Sequence, residues 1–471
     1  MPVANPRLLK GFKDMLPAEM VLREQLISQI KAVYESYGFV PLSTPALEYK
    51  EVLLGYGDEA SKQIYFFQEP DGCQVGLRFD LTVPLSRVVA QYPDLPRPFK
   101  RYQIQPVWRY DKPDPGRFRE FIQFDIDTVG TDSVIADAEI ISAIHDSLKQ
   151  LGLVFRVRFS NRKILNSLLV FAGIPAGLEH SVFRVLDKLE KQGIESVKLE
   201  LGSGRTDESG AKIAGLGLRP AQIDKMERFL ALPQRNRGEA LQSVKDLFQD
   251  VAGATAGIRE LEDIHRYLEA VAIDSSAAAI DLSIARGLDY YTGPVFEAIL
   301  TDEAAAGIGS VMGGGRYDDL IGNFTGQPVP ATGASIGVDR LVAAVQRLEG
   351  FEMRPSTADV IVVVMEAERI IEYAELAHRL RREGINTELY TGGATSIGKQ
   401  LKYADRQQIP VAVIVGSDEL ASGQVSIKDL RKIKQEKVSI AAREEWVEKK
   451  IGQTTVPAAD LVRVVKSMLG R

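Results

Sequence analysis

The sequence predicts an α/β protein in which strand-rich segments are separated by a long helical insertion. Two segments with strand periodicity, 103–110 and 121–129, flank a turn rich in proline and glycine and predict an antiparallel hairpin. Helical periodicity alone runs from 162 to about 269, and strands alternate with helices again after residue 357. Because 471 residues are too many for one core, we expect about three domains.

The chain is predicted to begin with a helix and an extended segment. Apolar residues recur at three- and four-residue spacing over 20–37, which predicts a helix that Gly38 ends. Residues 39–45 are predicted to be extended, because each proline disfavours the helical conformation of the residue before it. After the hairpin, a helix is predicted at 134–150 and a strand at 154–159.

Beyond the insertion, the predicted elements form two groups. The first has strands near Ile280 and at 295–300 and 334–338, followed by a helix at 339–348. The second has strands at 359–365, 387–390 and 411–415 and helices at 368–383 and 396–408, with a sheet that starts mostly parallel. The predicted division is a domain interrupted in sequence (1–160 and 277–348), the helical insertion (161–276), a linker (349–356) and a C-terminal α/β domain (357–471).

The composition, 45% hydrophobic and 26% charged, is that of a globular protein, and no run of 18 apolar residues predicts a membrane span. The N-terminal segment lacks the pattern of a secretory signal or a transit peptide, so we expect a cytoplasmic protein. Cys73 is the single cysteine and is read as structural, and the four histidines are widely spaced. A metal site held by cysteine or histidine is therefore not expected.

One segment is strongly basic although the net charge is −6. Seven basic and two acidic residues lie within 97–119, a local charge of +5 that could hold a phosphate backbone. An ordinary solvated face is the alternative, and it is favoured for the weakly positive C-terminal region.

Residues 286–293 combine one arginine, two tyrosines and two flanking glycines. In an extended segment Arg286 and Tyr290 point to one side and Asp289 and Tyr291 to the other. A cation and phenols around one cavity suit an anionic or zwitterionic ligand. A strand end in which Arg286 pairs with Asp289 is the alternative.

Two further segments carry candidate binding residues. The hairpin places Arg109 on one strand and Phe121 on the other; a guanidinium fork suits phosphate oxygens and an aromatic face can stack a purine. Solvated hairpin charges are the alternative. In 333–341, small residues precede Arg340, which suits either a ligand lying against the strand or a packed strand–helix junction.

Residues 286–293 resemble, letter for letter, the signature of histidyl-tRNA synthetases. Segments 38–45, 108–121 and 333–341 resemble, in that order, the three motifs of class II aminoacyl-tRNA synthetases. The resemblance implies an antiparallel class II sheet in an α+β catalytic domain, a helical insertion and an α/β anticodon-binding domain. It also implies a homodimer, paired through the first motif around Pro45.

The resemblance implies ATP and Mg²⁺ as cofactors, with the metal held by the ATP phosphates rather than by protein ligands. Arg109 and Arg286 would be catalytic and would flank the α-phosphate. The ATP-binding set would be Arg109, Arg117, Phe121 and Arg340. Loop 110–118 would meet the acceptor end of a histidine-specific tRNA, and 391–406 would lie near its anticodon. Many class II members have glutamate where this chain has Asp111.

The resemblance also implies a pocket for L-histidine. Asp80 and Thr82 would take the α-amino group and Gln123 would hold the amino-acid backbone. Asp127 and Tyr291 would bracket the imidazole. Arg286 and Tyr290 would complete the pocket, with 313–317 as a close backbone wall.

Two alternatives remain. Regulatory subunits of ATP phosphoribosyltransferase resemble the catalytic domain but lack the C-terminal domain and usually lose the catalytic arginines, whereas this chain has 357–471, Arg109, Arg286 and Arg340. Synthetases for proline, threonine or glycine share the motifs but not 286–293.

Overall fold

The computed structural model describes residues 5–54, 62–113, 116–207, 210–251, 253–284, 291–351, 353–393, 396–431 and 452–471. The main bodies of its two compact units are Gln25–Phe351 and Glu352–Arg471. None of the helices in these ranges is long and apolar enough to cross a membrane.

The first unit contains the following described strands: β1 (Val40–Pro41), β2 (Leu47–Tyr49), β3 (Phe66–Gln68), β4 (Gln74–Leu77), β5 (Phe99–Trp108), β6 (Glu120–Val129), β7 (Phe155–Asn161), β8 (Gly204–Thr206), β9 (Lys212–Ala214), β10 (Ala278–Ile280), β11 (Pro294–Leu300), β12 (Ser310–Arg316) and β13 (Ala331–Gly337). Its helices are α1 (Pro17–Ser36, whose first residues belong to the second unit), α2 (Lys50–Leu53), α3 (Thr82–Gln91), α4 (Ile135–Gln150), α5 (Arg162–Ala172), α6 (Glu179–Leu186), α7 (Leu189–Leu201), α8 (Pro220–Leu230), α9 (Arg237–Phe248), α10 (Ala254–Ala270), α11 (Gly322–Thr325) and α12 (Val338–Val345).

Eight of these strands form the main sheet, in the order β1-β5-β6-β13-β12-β11-β7-β10. The two outermost pairs are parallel and all inner pairs are antiparallel. The predicted hairpin is β5–β6, in which Trp108 pairs with Glu120. The strand pairing confirms the predicted fold class, an α/β protein whose large sheet is mainly antiparallel.

The two faces of β6 have different surroundings, as its alternating sequence predicts. Phe124 and Ile126 are fully buried, and the ring of Phe124 lies 4.9 Å from that of Tyr34 on α1. Helix α4 packs against β7 and β13 on the core side. The side chains of Phe121, Gln123, Asp125 and Asp127 face a cavity instead.

Strand β12 was not predicted, because three consecutive glycines are unfavourable in a strand. It nevertheless lies in the middle of the sheet, between β11 and β13. A Cβ atom on Gly314 would lie 2.2 Å from the Gly333 carbonyl oxygen and 2.6 Å from the Phe296 ring. The glycines are therefore explained by how closely the neighbouring strands approach β12, and not by a turn.

Two other parts of the first unit differ from the prediction. The insertion, predicted to be purely helical, contains the short β8–β9 hairpin. Strands β2, β4 and β3 form a small separate sheet beside the first motif, which was also not predicted. Strands of three or four residues carry too little periodicity to be recognised from sequence.

The second unit contains strands β14 (Val360–Val362), β15 (Thr387–Leu389), β16 (Val411–Ile414), β17 (Gln424–Asp429) and β18 (Gln453–Pro457), and helices α13 (Ile370–Arg382), α14 (Ile397–Arg406), α15 (Ser417–Ala421) and α16 (Leu461–Leu469). Strand β14 pairs in parallel with β15 and β16. The two later strands, β17 and β18, were missed by the prediction and pair antiparallel, so the sheet starts parallel and ends antiparallel.

Candidate active site

Phe121, Gln123, Asp125 and Asp127 on β6 line one wall of a cavity of about 860 Å³. The register of the sheet sets their neighbours: on β13, Gly337 pairs with Gln123, Ser335 with Asp125 and Gly333 with Asp127. Small residues on β13 leave space above the sheet for a ligand. The cavity is lined at one end by arginines and aromatic rings and at the other by buried carboxylates.

At the cationic end, Arg109 is held in a fixed orientation. Its Nε donates to the carbonyl oxygen of Phe79 at 3.0 Å. Its guanidinium carbon lies 4.3 Å from the ring centroid of Phe79 and 5.2 Å from that of Phe121. A planar cation stacked on aromatic faces loses little freedom on binding an anion, which suits a phosphate.

Two further arginines line the same end. Arg340 donates from Nη1 to the Ser310 carbonyl oxygen at 2.9 Å, which ties the start of α12 to β12. Its neighbour Asp339 accepts from the Ile122 backbone amide at 2.6 Å. Arg117 is half exposed and forms an ion pair with Asp111 at the cavity rim.

At the acidic end, Asp127 is buried between two partners. The Tyr317 hydroxyl donates to Oδ1, and Arg101 Nη2 lies 2.8 Å from Oδ2. A Cβ atom on Gly333 would lie 1.9 Å from Asp127 Oδ1, so only glycine leaves space for this carboxylate. The orientation of the Asp127 carboxylate is therefore fixed from three sides.

Tyr291 also lines the cavity. A Cβ atom on Gly315 would lie 2.9 Å from the Tyr291 ring, so this glycine allows the ring to lie against β12. Gly313 has no neighbour within 4 Å of a Cβ position and lines the cavity. The glycine run thus forms part of the cavity wall, as the sequence predicted.

Three residues predicted to bind the substrate histidine lie at the start of α3 (Asp80 and Thr82) and on β6 (Gln123). Asp80 Oδ1 accepts from the backbone amides of Thr82 and Val83 at 3.0 and 3.1 Å and so caps α3, and both Asp80 and Thr82 line the cavity. Gln123 donates from Nε2 to Ser335 Oγ at 2.7 Å. Its Oε1 is buried with no hydrogen-bond partner among the described residues.

From the sequence, no side-chain role in the acidic end was assigned to four residues found there: Asp125, Arg101, Tyr317 and Ser335. Asp125 lies two residues from both Gln123 and Asp127, so in a strand its side chain points to the same side of the sheet. This spacing could have identified it from the sequence. Burial raises its pKa to about 7, with Arg101 opposing and Asp127 adding to the shift. Burial likewise raises the pKa of Asp127, while Arg101 and the Tyr317 hydroxyl oppose that rise.

The basic segment 97–119 is less exposed than its sequence indicates. Arg101 is fully buried against Asp127, and Lys100 lies 3.0 Å from Glu139. These two charges are therefore neutralised inside the first unit and cannot contribute to a positive surface. Of the remaining basic residues in this segment, Arg109 and Arg117 line the cavity.

The cavity brings together nine of the predicted site residues: Asp80, Thr82, Arg109, Arg117, Phe121, Gln123, Asp127, Tyr291 and Arg340. Arg286 and Tyr290 lie outside the described residues. Within the described ranges, no group of three or more histidine, cysteine, aspartate or glutamate side chains could hold a metal ion.

Two family models match most of the chain. The model described as histidyl-tRNA synthetase matches residues 11–341, and an anticodon-binding domain model matches residues 358–450. The chain belongs to the histidyl-tRNA synthetase family. The family predicted from residues 286–293 and the three motifs is confirmed.

Relatives within this family match nearly the whole chain. A protein of Dinoroseobacter shibae named histidine–tRNA ligase is 44% identical over 98% of this chain and 97% of its own length. One of Cereibacter sphaeroides with the same name is 43% identical over the same shares. The crystal structure of a histidyl-tRNA synthetase from a Nostoc species has a TM-score of 0.83 and 33% identity, covering 99% of this chain and 100% of that chain.

A structure from Bacillus halodurans bears on the regulatory alternative. It is described as an ATP phosphoribosyltransferase regulatory subunit/histidyl-tRNA synthetase and has a TM-score of 0.69 at 23% identity, covering 85% of this chain and 97% of that chain. At that identity the likeness concerns the fold alone.

Proposed function

We propose that the chain is a histidine–tRNA ligase. It activates L-histidine with ATP to histidyl-adenylate and pyrophosphate, and then transfers histidine to the 3′ end of its tRNA. The observation that carries this proposal is the cavity of about 860 Å³ with Arg109 and Phe121 at one end and buried Asp127 at the other. One cavity with these two ends can hold a nucleotide and a histidine side by side.

In the first step, a histidine carboxylate oxygen attacks the α-phosphorus of ATP and pyrophosphate leaves. Charge develops on the phosphoryl oxygens, so positioned cations lower the barrier. We assign Arg109 and Arg286 to the α-phosphate, and Arg117 and Arg340 to the rest of the phosphate chain. Phe121, whose ring lies beside the Arg109 guanidinium, is assigned to the adenine. No side chain forms a covalent intermediate.

In the second step, the terminal ribose hydroxyl of the tRNA attacks the carbonyl carbon of the mixed anhydride and AMP leaves. A phosphate oxygen of the adenylate takes the hydroxyl proton. The protein's contribution is to hold the adenylate while the acceptor end approaches past loop 110–118.

Asp127 and Tyr291 are assigned to the imidazole. Because the Tyr317 hydroxyl and Arg101 fix the Asp127 carboxylate, it can pair with one ring nitrogen in a set geometry. A site that pairs polar groups of its substrate rejects analogues that lack them. Asp80 and Thr82 are assigned to the α-amino group and Gln123 to the amino-acid backbone, with Arg286 and Tyr290 completing the pocket.

Mg²⁺ is assigned to the ATP phosphates. The carboxylates beside the cationic end are already engaged, Asp111 by Arg117 and Asp339 by the Ile122 amide. A divalent ion would therefore enter with the nucleotide and neutralise part of its charge.

The second unit is assigned to the tRNA anticodon. Lys399, Lys402 and Arg406 are exposed and follow one face of α14, which suits a phosphate backbone. We propose the division predicted from sequence: a catalytic domain (1–160 and 277–348), a helical insertion (161–276), a linker (349–356) and an anticodon-binding domain (357–471). The two matched family models support it.

The regulatory-subunit alternative is less well supported. The anticodon-binding domain model matches residues 358–450, and Arg109 and Arg340 both line the cavity. A non-catalytic subunit needs neither feature. Cytoplasmic location remains a proposal that follows from the ligase function.

We expect the purified protein to catalyse ATP–pyrophosphate exchange that depends on histidine and Mg²⁺. The buried Asp127 and the cationic end of the cavity provide for histidine and ATP together. Exchange is measured with each of the twenty amino acids in turn. Exchange driven by another amino acid, or by none, would contradict the proposed function.

We also expect a homodimer with twice the 51.9 kDa mass of one chain. Pro45 lines a groove of about 730 Å³ together with apolar side chains that include Leu47, Val88 and Tyr92. An apolar groove next to the first motif suits pairing of two chains. Light scattering at micromolar concentration measures the mass, and a monomer would show that this groove does not mediate dimerisation.

A further inference from the structure

Asp125 lies in the middle of the cavity wall, between the two groups of residues assigned above. Along β6 the cavity-facing side chains follow the order Phe121, Gln123, Asp125, Asp127. Each step of two residues advances roughly 6.8 Å along the strand. If the imidazole lies beside Asp127 and adenine beside Phe121, the histidine α-carbon lies near the step occupied by Asp125.

The Asp125 carboxylate is only partly satisfied within the protein. It is 2% exposed, and its Oδ1 has no hydrogen-bond partner among the described residues. Arg101 Nη2 lies 4.0 Å from Asp125 but 2.8 Å from Asp127, so the arginine pairs mainly with Asp127. A buried carboxylate oxygen without a donor is unfavourable unless a ligand supplies one.

The neighbours of Asp125 in the sheet cannot supply the missing donor. Gln103 pairs with Asp125 on β5, but its Nε2 donates to Thr44 Oγ1 at 2.8 Å. Ser335, the partner on β13, donates its hydroxyl to the carboxyl group and accepts from Gln123. The unpartnered Oδ1 therefore remains available to a group inside the cavity.

The charges around this point favour a cation. The carboxylates of Asp80 and Asp127 both raise the pKa of Asp125, and the buried Arg101 lies closer to Asp127 than to Asp125. Burial raises the pKa of Asp125, as expected for a carboxylate that lacks a full counter-charge. A ligand ammonium would supply both the charge and the hydrogen-bond donors.

We propose that Asp125 is a further substrate-binding residue that accepts a hydrogen bond from the α-ammonium of histidine, alongside Asp80. The inference rests on the proposed function and adds a residue to it. Two carboxylates on β6 would then bind different groups of histidine: Asp127 binds the imidazole, and Asp125, two residues away, binds the ammonium.

The test compares two ligands that differ only in the ammonium. L-histidine and imidazolepropionic acid, which is histidine without its amino group, are titrated into the wild-type protein, Asp125→Asn and Asp127→Asn. For Asp125→Asn we expect histidine affinity to fall roughly 10- to 100-fold, the loss of a charge-assisted hydrogen bond, with no loss for imidazolepropionic acid. Asp127→Asn should weaken both ligands.

Asp187→Asn is the matched control, because Asp187 is an exposed carboxylate that lines the same cavity from the insertion. It should bind both ligands as the wild type does. Thermal melting checks that each variant is folded, and Asp125→Ser provides the same comparison if Asp125→Asn is unstable.

Two results would overturn the inference: unchanged histidine affinity in Asp125→Asn, or equal weakening of both ligands. The second would place Asp125 at the imidazole or in the scaffold. Failure of the wild-type protein to bind histidine would instead overturn the proposed function, so the two failures are distinguishable.

Discussion

Arg109→Lys should leave the fold intact but slow histidyl-adenylate formation about a hundred- to a thousand-fold, the usual effect of losing one preorganised donor to a developing oxyanion. The Arg109 guanidinium is oriented by the hydrogen bond from its Nε to the Phe79 carbonyl oxygen and by its contacts with the Phe79 and Phe121 rings. Lysine keeps the charge but loses the planar fork that these contacts orient.

Single-turnover adenylate formation and thermal melting on the same preparation measure this effect. Arg119→Lys is the matched control, because the Arg119 guanidinium also stacks on a ring of the hairpin, 3.9 Å from the centroid of Tyr110. Its Nε donates to the Asp111 carbonyl oxygen at 3.1 Å, and Arg119 is not part of the cavity lining. Equal losses in both variants would show that the effect comes from the hairpin rather than from a contact with ATP.

The β5–β6 hairpin was predictable because the residue pattern that produces it lies within one short stretch of the sequence. Alternation over 121–129 gave the strand and the side on which Gln123 and Asp127 lie, and the structure has both on the cavity side. The same parity could have identified Asp125. It was not singled out because parity indicates a direction but not the depth of burial or the supply of hydrogen-bond donors, which depend on β5 and β13.

Features that depend on distant partners were not predictable. Three glycines contradict strand propensity, and only the close approach of Gly333 and Phe296 explains why β12 lies in the sheet. Arg101 counted as surface charge in the sequence, yet it is fully buried because Asp127 lies opposite it in the β5–β6 register. A sequence read alone cannot show which of several arginines has a carboxylate as its neighbour in the sheet.

Arg101→Leu is expected to lower the free energy of unfolding by about 3–5 kcal/mol near pH 8, because breaking a buried ion pair leaves uncompensated charge. Arg101 Nη2 lies 4.0 Å from Asp125 Oδ2 and 2.8 Å from Asp127 Oδ2, and all three side chains are buried. Urea denaturation of both proteins measures the difference. A loss of less than about 1 kcal/mol would show that the Arg101–Asp127 ion pair stabilises the fold no more than an exposed ion pair does.

The same variant should regain stability as the pH is lowered. Burial already raises the pKa of Asp125 to about 7 in the folded protein, and removing Arg101 raises it further. Between the unfolded and folded pKa values the folded state binds more protons than the unfolded state, so stability rises as the pH falls. Below about pH 7 the wild type gains stability in the same way, so the deficit of Arg101→Leu should shrink as the pH falls from about 8 to about 7 and then level off. Adding Asp125→Asn should restore part of the stability at the higher pH.

Arg78→Leu is the control for the loss of a buried arginine whose hydrogen bonds go to neutral groups and whose neighbouring carboxylate, Glu48, is paired with Arg87. Arg78 is also buried, but it donates to the carbonyl oxygens of Pro106 and Thr44 at 2.8 and 2.7 Å and to no carboxylate among its described hydrogen bonds. Its deficit should therefore stay constant over the same pH range. A deficit of Arg101→Leu that is equally constant, and that Asp125→Asn does not relieve, would show that Arg101 stabilises the fold by packing rather than by neutralising the two carboxylates.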